Sequence, residues 1–142
     1  MEFTFEYRKL GAFTYHLLTD PVTIKSYAMK WIMREWESDH NEAPDEHWTV
    51  EWMNALPKME FALEIVRFED IHPNADLMGV NEFIVSLQER ADEREEAMLR
   101  GVSIEPLLVN RDGLQLMDGY TRYTVLKRHQ QREVHAYIGT TA

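Results

Sequence analysis

Apolar and polar residues alternate near the start of the chain, group into helical stripes further on, and return to short apolar runs towards the end. Phe3, Phe5 and Tyr7 alternate with Glu2, Thr4 and Glu6, and after Gly11 the alternation resumes at Phe13, Tyr15 and Leu17. This predicts a hairpin with both strands half-buried. Asp20-Pro21 supplies a helix cap followed by proline at the first helical position, and apolar residues then recur at Ile24, Tyr27, Ala28 and Trp31 and at Met29, Ile32, Met33 and Trp36. His40-Asn41-Glu42-Ala43-Pro44 predicts a loop, with Asp45 capping a second helix that carries Trp48, Trp52, Ala55 and Leu56 and ends at Pro57. Both helices are expected to be short and rich in tryptophan.

From Met59 the texture changes. Phe61, Leu63 and Ile65 alternate and Phe68 extends the run, which predicts a strand that breaks at Ile71-His72-Pro73-Asn74. Asn81 is placed to cap a long helix with Phe83, Ile84, Leu87, Ala91 and Met98 inward and Gly101 at its end. Leu107-Leu108-Val109 predicts a buried strand, Arg111-Asp112-Gly113 a turn, and Leu114 to Met117 a return strand. A helix over Arg122–Gln131 and a strand over Val134–Ile138 complete the order β-α-β-β-α-β. The fold class is α+β, with a hairpin and two-helix extension over residues 1–58 and a mixed-sheet domain over residues 59–142.

With 142 residues the chain is long enough for an ordinary core, and the absence of cysteine excludes disulfide scaffolds, thiolate metal sites and thiol nucleophiles. No apolar run approaches a membrane span and the first residues lack a basic leader, so a cytoplasmic location is expected. The 15 Lys and Arg against 25 Asp and Glu give a net charge of −10, which disfavours nonspecific binding to DNA or RNA. That charge is uneven. Acids dominate from Met59 to Glu105, whereas Arg111, Arg122, Lys127, Arg128 and Arg132 outnumber Asp112, Asp118 and Glu133 in the last quarter, where a small anion would be better received.

Asp118-Gly119-Tyr120-Thr121-Arg122 joins a strand end to a helix start. Unpaired N–H groups and the helix dipole favour phosphate there, Gly119 permits close approach, Thr121 adds a hydroxyl, and Arg122 adds a planar cation with several donors. The plain alternative is a glycine turn with Arg122 paired to Asp118. Lys127, Arg128 and Arg132 read as a solvated helix face and His72 as a turn residue. The remaining histidines show no metal-ligand spacing, so no metal site is expected. Trp31, Trp36, Trp48 and Trp52 read either as core covering one face of the sheet or as a surface for a protein partner or self-association.

The run Gly101 to Val109, followed by Gly113, Leu116, Asp118 to Arg122, Leu126 and Val134-His135-Ala136, resembles the ParB/sulfiredoxin superfamily, and Pro73-Asn74 looks like the turn after the first strand of ParB-type domains. The resemblance covers about Met59 to Gly139. It implies a mixed sheet and a nucleotide (ATP, ADP or CTP) with Mg²⁺, its phosphates held by Asp118, Gly119, Tyr120, Thr121 and Arg122. The ParB pattern Gly-Glu-Arg-Arg falls on Gly119 to Arg122, so one of its two arginines is missing. Tyr120 stands where sulfiredoxins carry their catalytic cysteine, which excludes that activity. Asp118 to Tyr123 is closest to the motif of related free serine kinases, whose acidic base would correspond to Asp76 or Glu82. Nucleotide-dependent phosphotransfer or hydrolysis, or a non-catalytic interaction domain that uses the tryptophans, are the functions implied.

Overall fold

The computed structural model describes the backbone of residues 3–42 and 50–141, and the side chains of residues 3–34 and 53–141. A hairpin of β1 (Glu6–Leu10) and β2 (Phe13–Leu17) leads into α1 (Pro21–Glu42) and α2 (Val50–Ala55), and a 3-10 turn then delivers β3 (Met59–Arg67). There follow α3 (Ala75–Met78), α4 (Asn81–Leu99), β4 (Leu107–Asn110), β5 (Gln115–Asp118), α5 (Tyr120–Arg128) and β6 (Glu133–Thr141). The four-stranded sheet has the order β3-β6-β4-β5, with β6 antiparallel to β3 but parallel to β4. It is mixed, and the fold is the α+β arrangement expected.

Each face of this sheet is covered by its own apolar layer. Ile24, Ala28 and Ile32 on α1 recur at helical spacing and pack with Met59, Phe61, Leu108, Met117 and Tyr137. Leu87, Ala91 and Met98 of α4 join Val125 and Leu126 of α5 over Leu107, Val109, Val134, Ala136 and Ile138. The hairpin is fastened by main-chain hydrogen bonds from His16 N–H to the Ile104 carbonyl and from Ile104 N–H to the Thr14 carbonyl, both 2.9 Å. At the end of β2, Leu18 N–H donates to the buried Tyr137 hydroxyl at 2.9 Å, and burial pushes that phenol up to about 12.

Several boundaries differ from the sequence reading, each for a local reason. β1 begins at Glu6 and its outer residues are exposed, Tyr7 by 66%, because the hairpin lies beside the main sheet and only Phe13, Tyr15 and Leu17 of β2 face the core. Asp20 does cap α1, its carboxylate accepting from Thr23 N–H at 2.9 Å. The helix then runs 22 residues, through the His40-Asn41-Glu42 stretch expected to form a loop. Among the described side chains its buried stripe is aliphatic. Trp31 is only half-buried, and the side chains of Trp36, Trp48 and Trp52 lie outside the described residues. Asn81 is the first residue of α4 rather than its cap, which falls on Val80, while Asn74 caps the unexpected α3 by accepting from Leu77 N–H at 3.0 Å. Leu114 sits in a 3-10 turn, not in the return strand.

β3 and β5 are the edges of this sheet. Along β3, Glu60 stands 3.6 Å from Lys25 and Glu64 is ion-paired with Arg111.

Two buried positions yield predictions. Gly139 lies in β6 where an added Cβ would meet Phe61 Cε1 at 2.8 Å and Met59 Sδ at 3.1 Å. The rigid ring cannot yield cheaply, so Gly139→Ala should cost about 1–3 kcal/mol in denaturant unfolding. His135 is buried, 4.8 Å from the Tyr15 ring, and burial, with a smaller contribution from the Arg8 charge, lowers its pKa. The unfolded chain therefore takes up a proton as pH falls through the ordinary histidine range while the folded chain resists it, and stability declines in that window. Unfolding of His135→Leu across pH 7 to 5 should release this dependence by up to one proton relative to the parent; an unchanged slope would assign the effect elsewhere.

Candidate functional site

The end of β5 is shaped by a bulge. Pairing with β4 steps from Leu108–Asp118 to Val109–Leu116, so Met117 is an extra residue in β5. Asp118 is buried, with 7% of its surface exposed. Gly119 then adopts φ 99°, ψ 29° and serves as the N-cap of α5, which is why the helix begins at Tyr120, two residues before the position expected from the sequence. At this φ an L side chain is strained, and an added Cβ would lie 2.8 Å from Arg122 Nη2 and 2.9 Å from Leu107 Cδ2. Being glycine, the cap residue brings no side chain to the first N–H groups of α5.

Arg122 lies in the first turn, and its side chain folds back towards the helix start, as helical side chains do. The guanidinium reaches Gly119, donates through Nη2 to the Pro106 carbonyl at 3.3 Å, and sits 5.3 Å from the centre of the Trp31 ring. Its Nε is buried without a hydrogen-bond partner among the described residues. None of the ion pairs among the described residues includes Arg122, so its neighbours there are a neutral carbonyl and an aromatic face, not the Asp118 carboxylate that the plain sequence reading supplied. Thr121 is half-buried beside it.

Tyr120 has a different place. Its hydroxyl accepts from Asn74 N–H at 3.0 Å and donates to the Leu116 carbonyl at 3.3 Å, while its ring meets Phe83 edge-on at 5.6 Å. Burial raises the phenol pKa, a rise that the Asn74 N–H opposes and the Asp118 charge reinforces. The side chain thus joins the Pro73-Asn74 turn and the start of α4 to the start of α5. Asp76 and Glu82 stand exposed in the first turns of α3 and α4, and neither makes a hydrogen bond or ion pair with residues 119–122. Sequence reasoning placed Tyr120 among the phosphate contacts and passed over Pro106 and Trp31 as partners of Arg122. The concentration of tryptophans was the only signal for Trp31, and a carbonyl leaves no mark in a sequence. Among the described residues no group of three or more His, Asp or Glu is arranged to hold a metal ion, and no helix is long and apolar enough to cross a membrane.

No protein-family model matches this chain, and neither does any curated protein. Solved structures do. The C2221 form of a pNOB8-like ParB-N domain is 20% identical, with 59% of this chain and 31% of that chain covered and a TM-score of 0.47. A pNOB8-like ParB N-domain gives 22% identity, 59% and 29% coverage and 0.45, and sulfiredoxin from Arabidopsis thaliana 20%, 55% and 86%, and 0.37. In fold the chain is similar to ParB N-domains and to sulfiredoxin. It spans less than a third of the length of either ParB structure, and the likeness is one of fold.

Gly119→Ala should lose about 2 kcal/mol or more of stability, from the left-handed backbone and from the clash with Leu107. Thermal unfolding would check it, and a neutral result would show that the strand-to-helix junction can relax.

Proposed function

We propose that the chain binds a nucleotide through its phosphates at the start of α5, on residues 119–122. The observation that supports this reading most is the setting of Arg122. A cation at a helix N-terminus is opposed by the dipole, which typically costs about 0.3–1 kcal/mol, and among the described residues no carboxylate is paired with it to offset that cost. A phosphate group at the same spot would reverse the sign of both effects. It would accept from the first N–H groups of α5 and from the outer nitrogens of the Arg122 guanidinium.

The sequence resemblance narrows the anion to a nucleotide, with ATP, ADP and CTP as candidates and Mg²⁺ accompanying the phosphates rather than held by a protein cage. Phosphotransfer or hydrolysis would further require a base. Asp76 and Glu82 are the candidates, because Tyr120 links the starts of both their helices to the phosphate site through Asn74 and Phe83.

Thermal shift against ATP, ADP, CTP and GTP, each with and without Mg²⁺, tests the reading. Protection is expected from at least one of them. Arg122→Ala should weaken that ligand about ten- to a hundred-fold, since a charge-assisted phosphate contact is worth roughly 1.5–3 kcal/mol. Unchanged affinity with a lowered melting temperature of the free protein would make Arg122 a bracing residue for Pro106 and Trp31. Indifference to all four nucleotides would favour a non-catalytic interaction domain.

A further inference from the structure

We infer that a groove in the N-terminal third seats the base of the same nucleotide, an inference that rests on the phosphate reading above. The groove has a volume of about 540 Å³ and is walled by Phe3, Phe5, Tyr27 and Trp31. Phe3 and Phe5 each meet the Tyr27 ring edge-on, at 5.0 and 5.5 Å, so the aromatic wall is built by the extended run before β1 packing on α1. Its size suits a small organic ligand, and its walls suit a planar ring.

Two observations tie this groove to Arg122. Trp31 lines it and also carries the guanidinium of Arg122. Glu105, which lines it as well, directly precedes Pro106, whose carbonyl accepts from the same guanidinium. A ligand whose phosphates sit at the start of α5 therefore meets the groove next along Trp31. Lys30 and Arg34, one helical turn apart on α1, stand at its rim and locally offset the acidity of the chain.

Glu105 sets the chemistry of the occupant. Its side chain is only 22% exposed; Oε1 accepts from the Tyr27 hydroxyl and lies 3.7 Å from His16 Nε2, while Oε2 has no donor among the described residues. With Oε1 engaged by Tyr27, Oε2 is the oxygen free to accept from an N–H donor on a ligand in the groove. Adenine, cytosine and guanine each carry an exocyclic amine that can donate to it; uracil has only its ring N–H and offers a carbonyl at the position where cytosine has its amine.

The test is calorimetric titration of the full chain with inorganic tripolyphosphate, ATP, GTP, CTP and UTP in Mg²⁺, repeated on Phe3→Ala, Glu105→Gln and Arg122→Ala. Both groove substitutions are mild, because Phe3 is half-buried near the terminus and the amide oxygen introduced by Glu105→Gln can still accept from Tyr27. At least one amine-bearing nucleotide should bind about tenfold or more tightly than tripolyphosphate, and CTP more tightly than UTP. Phe3→Ala and Glu105→Gln should bring nucleotide affinity towards that of tripolyphosphate while leaving tripolyphosphate itself unchanged. Nucleotides no tighter than tripolyphosphate, or groove variants that weaken both alike, would overturn the base site and leave the phosphate site standing. If tripolyphosphate fails to bind, or binds Arg122→Ala as well as the parent, both readings fall.

Discussion

Strand β6 is the constraint on which the rest of the structure depends. It is hydrogen-bonded on both edges, to β3 and to β4, and Val134 through Gly139 are buried without a break. A strand buried on both faces needs two apolar layers, and neither can be omitted without exposing it. α4 and α5 supply one layer; α1, in the N-terminal third, supplies the other. The Tyr137 hydroxyl explains how an aromatic residue with a polar tip is tolerated there, since the Leu18 N–H meets it inside the core. The same packing leaves no room at Gly139, where the Phe61 ring occupies the space of a side chain.

Much of this was legible in the sequence because it follows from periodicity. The alternation from Met59, the stripe of Leu87, Ala91 and Met98, and the apolar runs at Leu107 and Val134 depend only on side-chain spacing, and those elements stand where spacing puts them. The misses concern choices made by tertiary contacts. Whether Phe5 and Tyr7 belong to a half-buried strand depends on where the hairpin docks, which the Ile104 hydrogen bonds decide. Among the described side chains of α1, Tyr27 and Trp31 looked as suitable for the core as the aliphatic ones, and the sheet accepted Ile24, Ala28 and Ile32.

The candidate site divides in the same way. A glycine between a strand and a helix, followed by an arginine in the first turn, is a local pattern, and its local geometry was open to inference. What surrounds the arginine was not. Pro106 and Trp31 come from segments far apart in the chain, and they meet Arg122 only because β4 and α1 are laid against the same end of the sheet. Tyr120 shows the converse: a residue inside the motif whose side chain turns away to hold the Asn74 turn, so that membership in a motif does not fix which groups face a ligand.

The ion pairs along β3 carry a consequence for how the protein behaves when crowded. Among the described strands only one side of this nine-residue segment is joined to a neighbour, and an edge of that length is a template on which another chain can extend the sheet. Glu60 and Glu64, drawn aside by Lys25 and Arg111, place carboxylates along it, and Arg67 follows at its end. An incoming strand would have to break these pairs and bring its own charges against them. The guard on this edge thus lies at the periphery, in side chains outside both apolar layers, rather than in the core that holds the monomer together.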